Sequence, residues 1–136
     1  MVNIVKMSAD AIDEAAEVIR AGGLVITPTR TQYNLICDAF NAEAISRVFE
    51  VKKRTKFGPL TLSIADPATA ADYVMVPDWV EPDALTRLWP GELTAIFWKA
   101  CDLPAGFTMG YDTLGVACQG ASPLEDIIRA AGRPVG

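Results

Sequence analysis

Between Gly22 and Leu35 the chain reads Gly-Gly-Leu-Val-Ile-Thr-Pro-Thr-Arg-Thr-Gln-Tyr-Asn-Leu, and few local structures suit that order. Leu24, Val25 and Ile26 make a short apolar strand. Pro28 holds its own φ and biases Thr27 towards extended backbone, so the strand runs into a turn whose exit is crowded with hydroxyl and amide side chains. In an α/β sheet a strand end of this kind is where ligand-binding groups are commonly presented, because the connecting backbone is free to face a crevice. An ordinary strand-to-strand turn is the plainer reading of the same residues.

The rest of the chain is long enough to build one core around that stretch. With 136 residues, 51% of them hydrophobic, it suits a single compact domain, residues 1–136. No apolar run approaches the roughly 20 residues of a membrane span, and Met1 to Asp10 lacks the apolar core of a signal peptide, so a soluble, cytoplasmic protein is expected. Histidine is absent, which removes Ser-His and Cys-His nucleophile pairs and imidazole bases. Cys37, Cys101 and Cys118 are odd in number and widely spaced, which suggests buried thiols and neither a disulfide framework nor a zinc site. A net charge of −5 argues against broad non-specific nucleic-acid binding, although a local basic patch is compatible with it.

Helix and strand signals alternate along the chain. Ser8 caps a helix with apolar positions Ala11, Ile12, Ala15, Ala16, Val18 and Ile19, stopped by Gly22 and Gly23. Asn34 to Ala39 reads as a second strand, and Asn41 caps a helix through Ile45, Val48 and Phe49. That helix ends in Lys52, Lys53, Arg54 and Lys56, four cations in five positions. Cations suit a helix C-terminus, but at this density they repel one another unless an anion offsets them, and a phosphate-bearing ligand would do so. A strand follows at Leu60 to Ile64. Asp66-Pro67 opens a helix with Ala68, Ala71 and Val74 on its buried face, and another helix passes Leu85 and Leu88 to close at Trp89, whose default role is core packing. Leu93 to Trp98 is the next strand, Cys101 to Gly110 a loop long enough to act as a lid, and Leu114 to Cys118 a strand after Thr113. Ser122, Pro123 and Glu125 form a capping box for the last helix, which stops at Gly132 before Pro134-Val135 opens a further strand. The predicted class is α/β (α+β), a twisted mixed sheet with flanking helices.

Taken together, these residues resemble the YrdC-like family of threonylcarbamoyl-adenylate synthases over nearly the whole chain. Pro28, Thr29, Thr31, Tyr33 and Leu35 match a Pro-Thr-Asp-Thr-x-Tyr-Gly-Leu motif, and Lys52, Arg54, Pro59 and Leu60 match Lys-x-Arg followed by Pro-Leu. Trp89, Pro90, Gly91, Leu93 and Thr94 complete Trp-Pro-Gly-x-Leu-Thr, and Asp112, Thr113 and Val116 fit a pattern that ends in Val-Arg-x-Pro. The resemblance implies that threonine and bicarbonate form a carbamate that attacks the α-phosphate of ATP, giving pyrophosphate and threonylcarbamoyl-AMP for tRNA modification. It implies that Lys52 and Arg54 are catalytic and clamp phosphates with Lys56. Thr113 would contact the nucleotide, Thr31 and Tyr33 would line the threonine pocket, and Ser63 would face the same crevice. Magnesium would arrive with ATP, with no dedicated metal site on the protein.

The sequence departs from the family pattern at several of these places. Arg30 replaces the motif aspartate, Asn34 the glycine, Gly58 a lysine, Thr55 a proline, Ala117 the arginine and Gln119 the proline. Arg30 would have to send its guanidinium into the crevice to compensate for Ala117. The chain stops before the family's Ser-x-Asn motif, which is expected either to leave a sheet edge for a second subunit to cover, as in a homodimer, or to mark these residues as a fragment of a longer polypeptide. The alternative function is therefore a catalytically degenerate module that binds a nucleotide, a small carboxylate or double-stranded RNA, with RNA or tRNA-modification proteins as partners. A carbamoyl-transfer domain of a larger hydrogenase-maturation protein would share the fold.

Overall fold

The computed structural model describes residues 2–53, 58–81 and 83–136. Helix α1 (Ala9–Arg20) is capped by Ser8, whose hydroxyl accepts from the Ala11 N–H, and it buries Ala11, Ala16 and Ile19 while Val18 stays exposed. Strands β1 (Val25–Pro28) and β2 (Tyr33–Ile36) form an antiparallel hairpin with Val25 opposite Ile36 and Pro28 opposite Tyr33. Helix α2 (Ala42–Lys52) starts at Asn41, as its amide side chain predicts, and ends on Lys53 in left-handed backbone at φ 50°. Strand β3 (Thr61–Ser63) follows.

The Asp66-Pro67 start produces a 3-10 helix, Pro67–Asp72, in place of the expected α-helix. Its threefold turn buries Ala70 and leaves Ala68 and Ala71 exposed, and Val74 passes into the two-residue strand β4 (Val74–Met75). Helix α3 (Ala84–Leu88), strand β5 (Thr94–Lys99), helix α4 (Ala105–Thr108), strand β6 (Thr113–Ala117) and helix α5 (Pro123–Ala131) complete the chain. Helix α4 lies inside the segment expected to be a lid. Its Phe107 is fully buried and its carbonyl accepts from the Leu60 N–H at 2.9 Å, so this segment is anchored to the core. At α5 the Ser122 hydroxyl accepts from the Glu125 N–H, but the Glu125 carboxylate turns to Arg129 and does not close the capping box.

Four strands pair in the order β3-β6-β5-β4, with β3 and β6 parallel and the other pairs antiparallel. The segment 134–136 joins this sheet to the hairpin. Val135 exchanges both backbone hydrogen bonds with Ser63, and Gly136 exchanges both with Cys37. The expected terminal strand is therefore interior to the combined sheet, and the outer edges are β1 and β4, because long-range pairing places this segment between two strands already present.

The pleat sends alternate side chains to two cores. Leu35, Cys37, Leu62, Leu114, Val116 and Phe97 face α2, α4 and the fully buried Trp89. Ile36, Val25 and Val135 face α1 and α5, where Ile19, Leu124, Ile127 and Ile128 meet them. Cys37 and Cys118 are buried and Cys101 is half-buried, all three as free thiols.

Candidate functional site

At the hairpin tip, Thr29 folds the turn around its own hydroxyl, which accepts from the Thr31 and Gln32 N–H groups and donates to the Gln32 carbonyl at 2.8 Å. This leaves Arg30 and Thr31 exposed and Tyr33 74% exposed. Thr27 points inward and is buried.

Strand register decides what lies near this tip. Asp38 is opposite Val135, Val135 opposite Ser63, and Ser63 opposite Ala117, so these four residues are level across the sheet. Counting from that line towards the tip, Tyr33 is level with Gly58, and Pro59 is level with Thr113 and Trp98. The hairpin tip, the entry to β3 after the cation segment, and the start of β6 thus share one end of the sheet. Lys52, the last residue of α2, is exposed and precedes that entry. Arg54, Thr55 and Lys56 lie outside the described residues.

Ser63, expected in the same crevice, is level with Ala117, four residues or about 13 Å along the sheet from the level of Thr113 and on the same face. It is 9% exposed and lines a small niche with Gln119, Gly120, Ser122 and Glu125 at the start of α5. The Trp-Pro-Gly motif is structural. The Trp89 indole N–H donates to the Leu93 carbonyl at 2.8 Å, and the Gly91 N–H to the Cys118 carbonyl at 3.0 Å, tying the start of β5 to the end of β6.

Burial also sets the chemistry of the thiols. The Cys37 thiol is pushed up to about 11, first by burial and then by the Asp38 carboxylate, with a backbone hydrogen bond from Gly136 opposing. Cys118 also rises to about 11, through burial and then Glu125 and Asp66. Both stay protonated at neutral pH and are poor nucleophiles. Among the described residues no three His, Cys, Asp or Glu side chains converge to hold a metal ion, and no helix is long and apolar enough to cross a membrane.

Known proteins share this arrangement. A family model named Sua5_yciO_yrdC, described as telomere recombination, matches residues 17–135. The chain belongs to the Sua5/YciO/YrdC family. It is 34% identical to the threonylcarbamoyl-AMP synthase of Pyrococcus abyssi over 89% of its own length, and 30% identical to that of Bacillus subtilis over 91%. It spans 36% of the length of each of those two proteins. The P. abyssi Sua5 crystal structure complexed with L-threonine superposes with a TM-score of 0.85 at 32% identity, covering 96% of this chain and 38% of that one. The mixed sheet with flanking helices is the Sua5/YciO/YrdC fold.

Within that family frame the register bears on one departure directly. Ala117 is level with Asp38, whereas Arg30 lies beyond Tyr33, more than five residues or about 17 Å further along the sheet. That exceeds the length of an arginine side chain, so Arg30 does not replace a guanidinium at Ala117. Two described cations lie near that level and both are engaged: Arg133 pairs at 2.6 Å with the buried Asp38, and Arg129 pairs with Glu125 and donates to the Ala65 carbonyl.

Sequence reasoning missed the exposed pair Trp79 and Trp98. In β5, Thr94, Ile96 and Trp98 alternate with Ala95 and Phe97, so both faces read as apolar and the pattern alone does not mark the open one.

Proposed function

We propose that this chain forms threonylcarbamoyl-AMP from ATP, L-threonine and bicarbonate as an intermediate for tRNA modification. The observation that carries the reading is the register, which supports one shared end of the sheet for the hydroxyl-rich hairpin tip, the entry after the cation segment, and Thr113. The P. abyssi and B. subtilis relatives and the L-threonine complex support the same chemistry.

In this scheme Thr31 and Tyr33 hold threonine, its amine nitrogen bonds to the bicarbonate carbon with loss of water to give a carbamate, and an oxygen of that carbamate attacks the α-phosphorus. The bond from that phosphorus to the bridging oxygen breaks and pyrophosphate leaves with the electron pair. Lys52, Arg54 and Lys56 offset the charge that develops on the phosphates, and Thr113 contacts the nucleotide. A magnesium ion would accompany ATP, held by phosphate oxygens and water, and among the described residues no three carboxylate, Cys or His side chains converge to hold one.

Ala117 supports a second reading, a module that binds nucleotide, a small carboxylate or double-stranded RNA without turnover. Incubation with ATP, threonine, bicarbonate and magnesium separates the two. Pyrophosphate release that falls about 100-fold in Lys52→Ala supports the synthase. Calorimetric heat with ATP, AMP, threonine or double-stranded RNA, with release no higher than in Lys52→Ala, supports the binding module, and no release together with no heat from any of the four rejects both.

A further inference from the structure

We infer that a slot in the sheet between β2 and β3 takes residues 2–7 of a second copy of this chain as an added strand. Cys37 exchanges both of its backbone hydrogen bonds with Gly136, and Ser63 both with Val135. The segment 134–136 therefore sets β2 and β3 two strand spacings, about 10 Å, apart. Past Gly136, towards the hairpin tip, the same two edges run on with no strand between them among the described residues. Backbone groups point alternately to the two sides of a strand. On β2, Leu35 and Tyr33 face the slot as Cys37 does, and on β3 Thr61 faces it as Ser63 does, while the Ile64 N–H turns the other way to the Ala117 carbonyl of β6. None of these three slot-facing residues has a backbone partner there among the described residues. From the level of Ile36 to that of Tyr33 the slot is four residues, or about 13 Å, long, and Tyr33 and Thr61 leave it open to solvent.

Residues 2–7 supply what the slot lacks. They belong to no helix or strand, yet Val2 is 81% exposed, Ile4 91%, Val5 49% and Met7 48%, an apolar and largely β-branched segment of the kind that suits a sheet. As a strand it alternates, with Val2 and Ile4 on one face and Val5 and Met7 on the other. Both faces of the slot border apolar side chains. On one side are Leu35 and Phe107, whose ring stands 2.2 Å from where a Cβ on Gly136 would be, and on the other is the buried Ile36. Six residues span about 20 Å when extended, enough to fill the slot. In its own molecule the segment is tied to α1, where the Asn3 amide donates to the Glu14 carboxylate at 3.3 Å. The strand therefore comes from a neighbour, and reciprocal exchange between two copies closes as a symmetric dimer.

The test uses the whole chain without ATP or threonine, so its outcome is independent of the synthase reading. Sedimentation over a range of concentrations should show a monomer–dimer equilibrium, and amide hydrogen exchange at Leu35 and Thr61 should slow as the dimer forms. Ile4→Pro removes an N–H from the segment and should weaken the dimer roughly tenfold, with exchange at both amides faster in proportion. Ile4 lies outside every helix and strand, so the circular dichroism of the variant should match that of the parent chain. A monomer at every concentration overturns the proposal; if exchange at Leu35 and Thr61 is then slow and Ile4→Pro speeds it, the slot belongs to the chain's own segment. A dimer that Ile4→Pro leaves intact, or one whose formation does not slow exchange at Leu35 and Thr61, is built on another surface and also overturns it.

Discussion

Replacing Trp89 with alanine tests whether the Trp-Pro-Gly segment works through the core. The indole is 1% exposed, and its N–H donates to the Leu93 carbonyl. A buried indole removes about 200 Å² from water, worth up to about 5 kcal/mol at about 25 cal/mol per Å². Measured truncations of this size cost about 3–5 kcal/mol, because neighbours collapse only partly into the cavity. Leu93 is 40% exposed, so water can take over much of the lost hydrogen bond, which adds less than about 1 kcal/mol. The expected loss is about 4 kcal/mol, a fall in Tm on the order of 15 °C for a domain of this size. Trp89→Phe keeps most of the buried area and should cost about 1–2 kcal/mol. Urea unfolding followed by far-ultraviolet circular dichroism reads these values, with Trp98→Ala as the exposed comparison, expected within about 0.5 kcal/mol of the parent. If Trp89→Ala and Trp98→Ala proved equally costly, the core assignment would be refuted.

Two further predictions concern the end of β6 and the buried thiols. Gly120 sits at φ +91°, and a Cβ there would meet the Pro90 Cβ at 2.6 Å, so Gly120→Ala should destabilise the fold by about 2 kcal/mol; an unchanged urea midpoint would contradict it. Cys37 and Cys118 rise from 9.0 to about 11 on folding. The unfolded chain therefore loses these protons first as pH rises. Their stabilisation is complete below about pH 9 and disappears by about pH 11, at up to about 3 kcal/mol per thiol. The urea midpoint should fall across that window and fall less in a Cys37→Ala, Cys118→Ala variant; equal slopes would refute the assignment.

Short-range chemistry was legible along the chain. Ser8, Asn41 and Ser122 each receive the backbone N–H bond that their side chains predict, because a cap is decided within three residues. The choice between a 3-10 and an α-helix at Pro67 was not legible, since it depends on where Ala70 and Val74 meet the core. Helix α4 stayed hidden for a related reason: its four residues hold together because Phe107 is buried, and propensity contributes little at that length.

The candidate site divides in the same way. The hydroxyls, the cations and the tryptophan motif are present in the residue order, and with them membership of the family. Only the folded chain decides that Thr113 shares a sheet end with Tyr33, that Ser63 lies about 13 Å away, and that Arg30 does not reach Ala117. Those relations pass through Val135, a residue roughly 100 positions from the hairpin. A side chain's local preference is written in its neighbours, but which strands lie level depends on hydrogen bonds between segments that sequence order keeps far apart.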